Sequence, residues 1–70
     1  MMPLTLAHIG ETNSIRRVGG SSELKQHLKD LGFVPGSSIT VLSTMGGNLI
    51  VKVKESRVAI NQEMAGKIFI

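Results

Sequence analysis

The sequence predicts an all-β domain with one short helix, folded as a small antiparallel barrel of about five strands, and three observations carry that prediction. Apolar and polar residues alternate over Ser38 to Ser43 and again over Leu49 to Val53, the period of a half-buried strand. Leu24, Leu28 and Leu31 recur at i, i+4 and i+7, the spacing of one helical face. The connections after that helix are too short for crossovers, which excludes a parallel βαβ layout and leaves an antiparallel meander.

Taken in order, Leu4, Leu6 and Ile9 suggest a short edge segment, Gly10 to Asn13 a turn, and Ser14 to Val18 a strand carried by its Ile and Val. Gly19-Gly20 ends that strand. Ser21 or Ser22 caps the helix, and Glu23 in its first turn suits the exposed amides and the macrodipole. The leucine face should turn inward and plug one open end of the barrel, with Lys25, Lys29 and Asp30 in water. Leu31 to Gly36 then ends the helix, turns and launches a strand within six residues. Gly32 stands where a helix C-terminus takes the left-handed conformation, Phe33 follows as the apolar contact, and Pro35-Gly36 makes the turn.

After the Ser38 to Ser43 strand, Met45-Gly46-Gly47-Asn48 reads as a hairpin turn. Leu49, Val51 and Val53 fall on one face of the next strand, and Ile50, Lys52 and Lys54 on the other. Glu55-Ser56 turns the chain into the strand Arg57 to Ile60. A short helical turn in Asn61 to Gly66 leads to a last strand, Lys67 to Ile70.

Size and composition bound the rest. Seventy residues make one domain, residues 1–70, and a chain of this length buries only about 60% of the surface its unfolded form exposes. The absence of cysteine removes any disulfide framework and any thiolate zinc ribbon, and fits a reducing compartment. Met1 to Leu6 has neither a basic leader nor an apolar run long enough for a signal peptide or membrane span, so the expectation is a cytoplasmic protein. A net charge of +3 with a sequence pI near 9.8 modestly favours acidic partners, yet lies within the ordinary range for a soluble domain.

The ordered set Val18-Gly19-Gly20, Leu28, Leu31-Gly32-Phe33, Pro35-Gly36, Ile39 and Val41, Gly46 to Val51, Ser56 to Ile60, Ala65, Ile68 and Ile70 resembles the FeoA family. The resemblance covers most of the chain. It implies an SH3-like barrel and a non-enzymatic cytoplasmic accessory of ferrous iron uptake that binds and modulates the FeoB permease, a membrane GTPase. It also implies contact with the membrane only through that partner. One position departs from the pattern, because many members have arginine where this chain has His27.

The residues themselves exclude several chemistries. There is no cysteine nucleophile, Gly-x-Ser-x-Gly elbow, P-loop or close acidic pair, so the chain is not expected to be an enzyme. No cofactor is expected. His8, Glu11, His27 and Glu63 are the weak candidate ligands for ferrous iron or zinc, but none shows the i, i+4 pairing of a helical metal site. A metal-binding regulatory module, similar to the SH3-like domain of iron-dependent repressors, is one alternative.

A basic nucleic-acid-binding module is the other alternative, since Arg16, Arg17, Lys52, Lys54 and Arg57 could track phosphates. The chain has no Trp or Tyr, and Phe33 and Phe69 are both expected in the core, so stacking platforms and grooves for Pro-rich peptides are not expected. Protein binding remains. Met45 by a hairpin tip and Ile50 among lysines join those five basic residues as the candidate partner surface of a monomer or weak homo-oligomer.

Overall fold

The computed structural model describes residues 1–70. Helix α1 (Ser22–Asp30) starts at Ser21, whose backbone is extended and whose Oγ accepts the Leu24 N–H at 3.1 Å, satisfying one of the free amides of the first turn. Leu28 is buried, Leu24 and Leu31 are half-buried against the core, and Lys25, Lys29 and Asp30 face water. Gly32, at φ +104, ends the helix. Its N–H donates to the Lys29 carbonyl at 2.9 Å and the Phe33 N–H donates to the Leu28 carbonyl at 2.9 Å, the paired bonds of a Schellman cap. That geometry drops Phe33, the largest fully buried side chain, into the core beside Leu28. The following turn is closed by the Ser37 N–H donating to the Val34 carbonyl at 3.1 Å, around Pro35-Gly36.

Three strands then run as a meander: β3 (Ser38–Met45), β4 (Asn48–Val53) and β5 (Ser56–Asn61). The β3–β4 hairpin has Gly46 at φ 56 and Gly47 at φ 85, the two successive positive angles that a type I′ turn requires. β1 (Thr12–Ser14) pairs with the other edge of β3, giving a four-stranded antiparallel sheet in the order β1-β3-β4-β5. Ile39 and Val41 of β3, Leu49, Val51 and Val53 of β4, and Ile60 of β5 are buried on its inner face. A bulge between Val41 and Ser43 shifts the register near the hairpin.

A second, two-stranded sheet pairs β2 (Arg17–Val18) with β6 (Ile68–Phe69). Between β5 and β6 lies α2 (Gln62–Ala65), capped by the Asn61 Oδ1, which accepts the Met64 N–H at 2.8 Å. The chain ends meet: Met2 and Ile70 exchange two backbone hydrogen bonds, at 3.0 and 2.9 Å. Thirteen buried residues form one cluster, all apolar.

Several sequence expectations are corrected. The segment Leu4–Leu6 is a 3-10 turn rather than an edge strand; Pro3, with its fixed φ, precedes it, and only Leu4 is buried. The turn expected at Gly10 to Asn13 is confined to Ile9-Gly10, and Thr12 and Asn13 belong to β1. The strand expected over Ser14 to Val18 breaks at Ile15-Arg16, which separates β1 from β2. Ile15 is buried at that break, and its N–H and carbonyl bond Ser37 and Gly36 across the turn after α1. The turn placed at Glu55-Ser56 lies one residue earlier, at Lys54-Glu55, because Ser56 pairs with Val53.

Candidate functional site

The meander's register decides which polar side chains meet. On the outer face Thr12 lies opposite Thr40, Thr40 opposite Lys52, and Lys52 opposite Arg57, so a single row crosses all four strands. The Thr12 and Thr40 hydroxyls are 2.8 Å apart. Lys52 and Arg57 are exposed and directly opposed, a like-charge cross-strand pair that works against the sheet. Beside this row is an open groove of about 450 Å³ lined by Thr12, Ser37, Ser38, Thr40, Lys52 and Lys54, with no acidic residue in its wall.

Lys54 reaches the groove from the β4–β5 turn. It is the one non-glycine residue at positive φ, 55°. Its Cδ and Cε lie 3.7 and 3.9 Å from the point where a Cβ on Gly32 would stand, so the stem runs over the end of α1.

The remaining residues of the expected partner surface divide. Ile50 sits one row along from Lys52, opposite Ser43 and Ala59, and is half-buried without packing on the core cluster. Met45, 69% exposed, stands at the hairpin end of the same sheet. Arg16 and Arg17 do not join them. Arg16 is exposed by a shallow groove with Met1, Met2, Asn13, Ser14 and Ile70. The Arg17 guanidinium lies 4.9 Å from the centroid of the Phe69 ring, a cation–π contact. Phe69 is therefore half-buried beneath Arg17, a correction to its expected place in the core, while Phe33 is fully buried as expected. Arg17 also rims, with Lys25 and Lys29, a groove floored by Val18, Phe33, Val34 and Pro35.

The metal candidates are scattered. His8 and Glu11 precede β1, His27 is on α1 and Glu63 on α2, and all four are exposed. Glu11 instead accepts a hydrogen bond from the Asn13 amide at 3.2 Å. No three His, Cys, Asp or Glu side chains are grouped to hold a metal ion. No helix is long and apolar enough to cross a membrane.

Sequence reasoning missed two exposed apolar residues, Leu6 at 63% and Ile9 at 61%. The signal available was Pro3, which marks the start of a helical turn and breaks the strand-like grouping of Leu4 with Leu6.

Comparison with known proteins places this geometry. The FeoA domain family model matches residues 2–70. An Fe(2+) transport protein A of Methanocaldococcus jannaschii is 30% identical over 70 residues, all of this chain and 85% of that protein. A crystal structure of an iron uptake regulatory protein, FeoA, superposes with a TM-score of 0.86 at 31% identity, covering 96% of this chain and 89% of that one. The zinc complex of Stenotrophomonas maltophilia FeoA, named as a prokaryotic SH3 domain protein, superposes with a TM-score of 0.86 at 21% identity, covering 99% and 88%. The match over nearly the whole chain, together with the six short strands around one apolar core, shows that this protein belongs to the FeoA family and has an SH3-like fold.

Proposed function

We propose that the chain is a non-catalytic accessory of ferrous iron uptake that works in the cytoplasm by docking on the cytosolic part of an FeoB-type membrane GTPase permease. The observation that carries this reading is the family match over residues 2–70, together with 30% identity to an Fe(2+) transport protein. The outer face of the four-stranded sheet supplies the contact surface, with Ile50 as its apolar element and Lys52, Lys54 and Arg57 as its charges. Docking modulates transport only if the protein binds one conformational state of the permease more tightly than another, and by no more than that difference in affinity.

The test is recovery of the tagged protein from gently solubilised membranes of its own organism grown with scarce iron. Enrichment of a large membrane GTPase permease is the expected result, lost in an Ile50→Asp, Arg57→Glu variant that still folds. Recovery of the protein without a permease would refute the docking function. Recovery that is undiminished in the double variant would move the contact off this face.

A further inference from the structure

The row and groove on the outer sheet face carry more positive charge than the fold itself uses. Lys52 and Arg57 oppose each other directly although like charges at that position destabilise a sheet. Lys54 holds a left-handed backbone, φ 55, where glycine or asparagine would be less strained, and backbone strain of this kind gathers at binding sites. Four hydroxyl-bearing residues, Thr12, Ser37, Ser38 and Thr40, line the same groove, and Glu55, the acid nearest in sequence to Lys54, does not. An anion there would relieve the repulsion, accept hydrogen bonds from the hydroxyls, and turn each of these features to account.

The shape of the anion follows from the backbone. At Thr40 and Lys52 the ladder is paired on both sides, β3 with β1 and β4, and β4 with β3 and β5, so the middle of the row offers no nest of free amides to cradle a single phosphate as a helix N-terminus does. The side-chain donors are spread along the row from Thr12 to Arg57. We propose that the groove between Lys52, Lys54 and the hydroxyls of Thr12, Ser37, Ser38 and Thr40 seats an acidic, extended segment of the partner protein, whose carboxylates are spaced along the chain. This rests on the docking function above and names the kind of segment that the sheet face receives.

The probe is a labelled synthetic peptide of about eight residues alternating Glu and Thr. At about 3.4 Å per residue it is long enough to cross four strands that span about 14 Å. Fluorescence anisotropy would compare the native chain with two variants of equal net charge: Lys52→Gln with Lys54→Gln, and Lys25→Gln with Lys29→Gln on α1. Lys25, Lys29, Lys52 and Lys54 are all exposed, and a thermal melt confirms that each variant folds. The first variant should weaken binding about tenfold, the sum of two partly screened ion pairs, and the second about twofold or less.

Equal losses in the two variants, a larger loss in the α1 variant, or no binding by the native chain would overturn the proposal. Displacement by inorganic phosphate at the concentration of the peptide would reassign the groove to a small oxyanion and also overturn it. Repeating the membrane recovery with the Lys52→Gln, Lys54→Gln variant separates the two readings. A permease recovered by both proteins refutes the acidic segment and leaves docking intact. Peptide binding without permease recovery by the native chain refutes docking and supports the groove's ligand class.

Discussion

Replacing Gly32 by alanine tests the cap that joins the helix to the barrel. Its φ of +104 is open to glycine and strained for any residue with a Cβ. Space is not the obstacle, since the nearest atoms to an added Cβ would be the Lys54 Cδ at 3.7 Å and the Val53 Cγ1 at 3.8 Å, ordinary contacts. The expected loss is therefore the conformational cost alone, about 1–2 kcal/mol. A domain of this size moves its melting temperature by roughly 4–8 °C per kcal/mol, so the midpoint should fall by about 4–16 °C. Gly19→Ala is the matched control. Its φ lies outside the left-handed range and an added Cβ would meet the Phe69 ring at 3.6 Å without crowding, so shortening the list of unfolded conformations should stabilise it by about 0.4–1 kcal/mol. Thermal and urea melts followed by circular dichroism measure both. An unchanged or raised midpoint for Gly32→Ala, or a fall of the same size for Gly19→Ala, would refute the reasoning.

Other substitutions probe the core, the helix start and the strained turn. Phe33→Ala should cost about 3–5 kcal/mol, a large part of the roughly 3.5–10 kcal/mol expected for a chain of this length, and collapse the amide dispersion of the NMR spectrum near body temperature. Ser21→Ala removes the cap on the Leu24 N–H and should cost about 1 kcal/mol, with faster hydrogen exchange in the first turn of α1 read by NMR. Lys54→Asn should raise the urea midpoint by relieving the left-handed lysine, by about 1 kcal/mol at most, while weakening binding of the acidic peptide.

Much of the fold was legible because local chemistry and burial agree. Gly32-Phe33 announces the cap, Gly46-Gly47 the hairpin, and the alternation of Leu49, Val51 and Val53 the buried face of β4. The first eighteen residues were harder. Their strands are two and three residues long, too short for a period to show, and Ile15 is buried at a break between sheets rather than within a strand. The candidate surface was legible in part. Alternation put Ile50, Lys52 and Lys54 on one face, but the alignment of Thr12, Thr40, Lys52 and Arg57 depends on pairings between strands far apart in sequence, and no local pattern encodes it. Phe69 was misplaced for a similar reason, since nothing near it in the chain foretells the Arg17 guanidinium above its ring.

The bonds between Met2 and Ile70 have a consequence for how the molecule is made. Synthesis runs from the first residue to the last, so the opening segment stays without its backbone partner until residue 70 has emerged. Pro3, Arg17 and Val18 are in the same position, since each pairs with Ile68 or Phe69. The meander from β3 to β5 joins neighbours and can form early, whereas closure of the second sheet joins distant parts of the chain and must come late. During translation the growing polypeptide thus carries an unclosed sheet until Ile68 to Ile70 emerge and act as the latch that completes it.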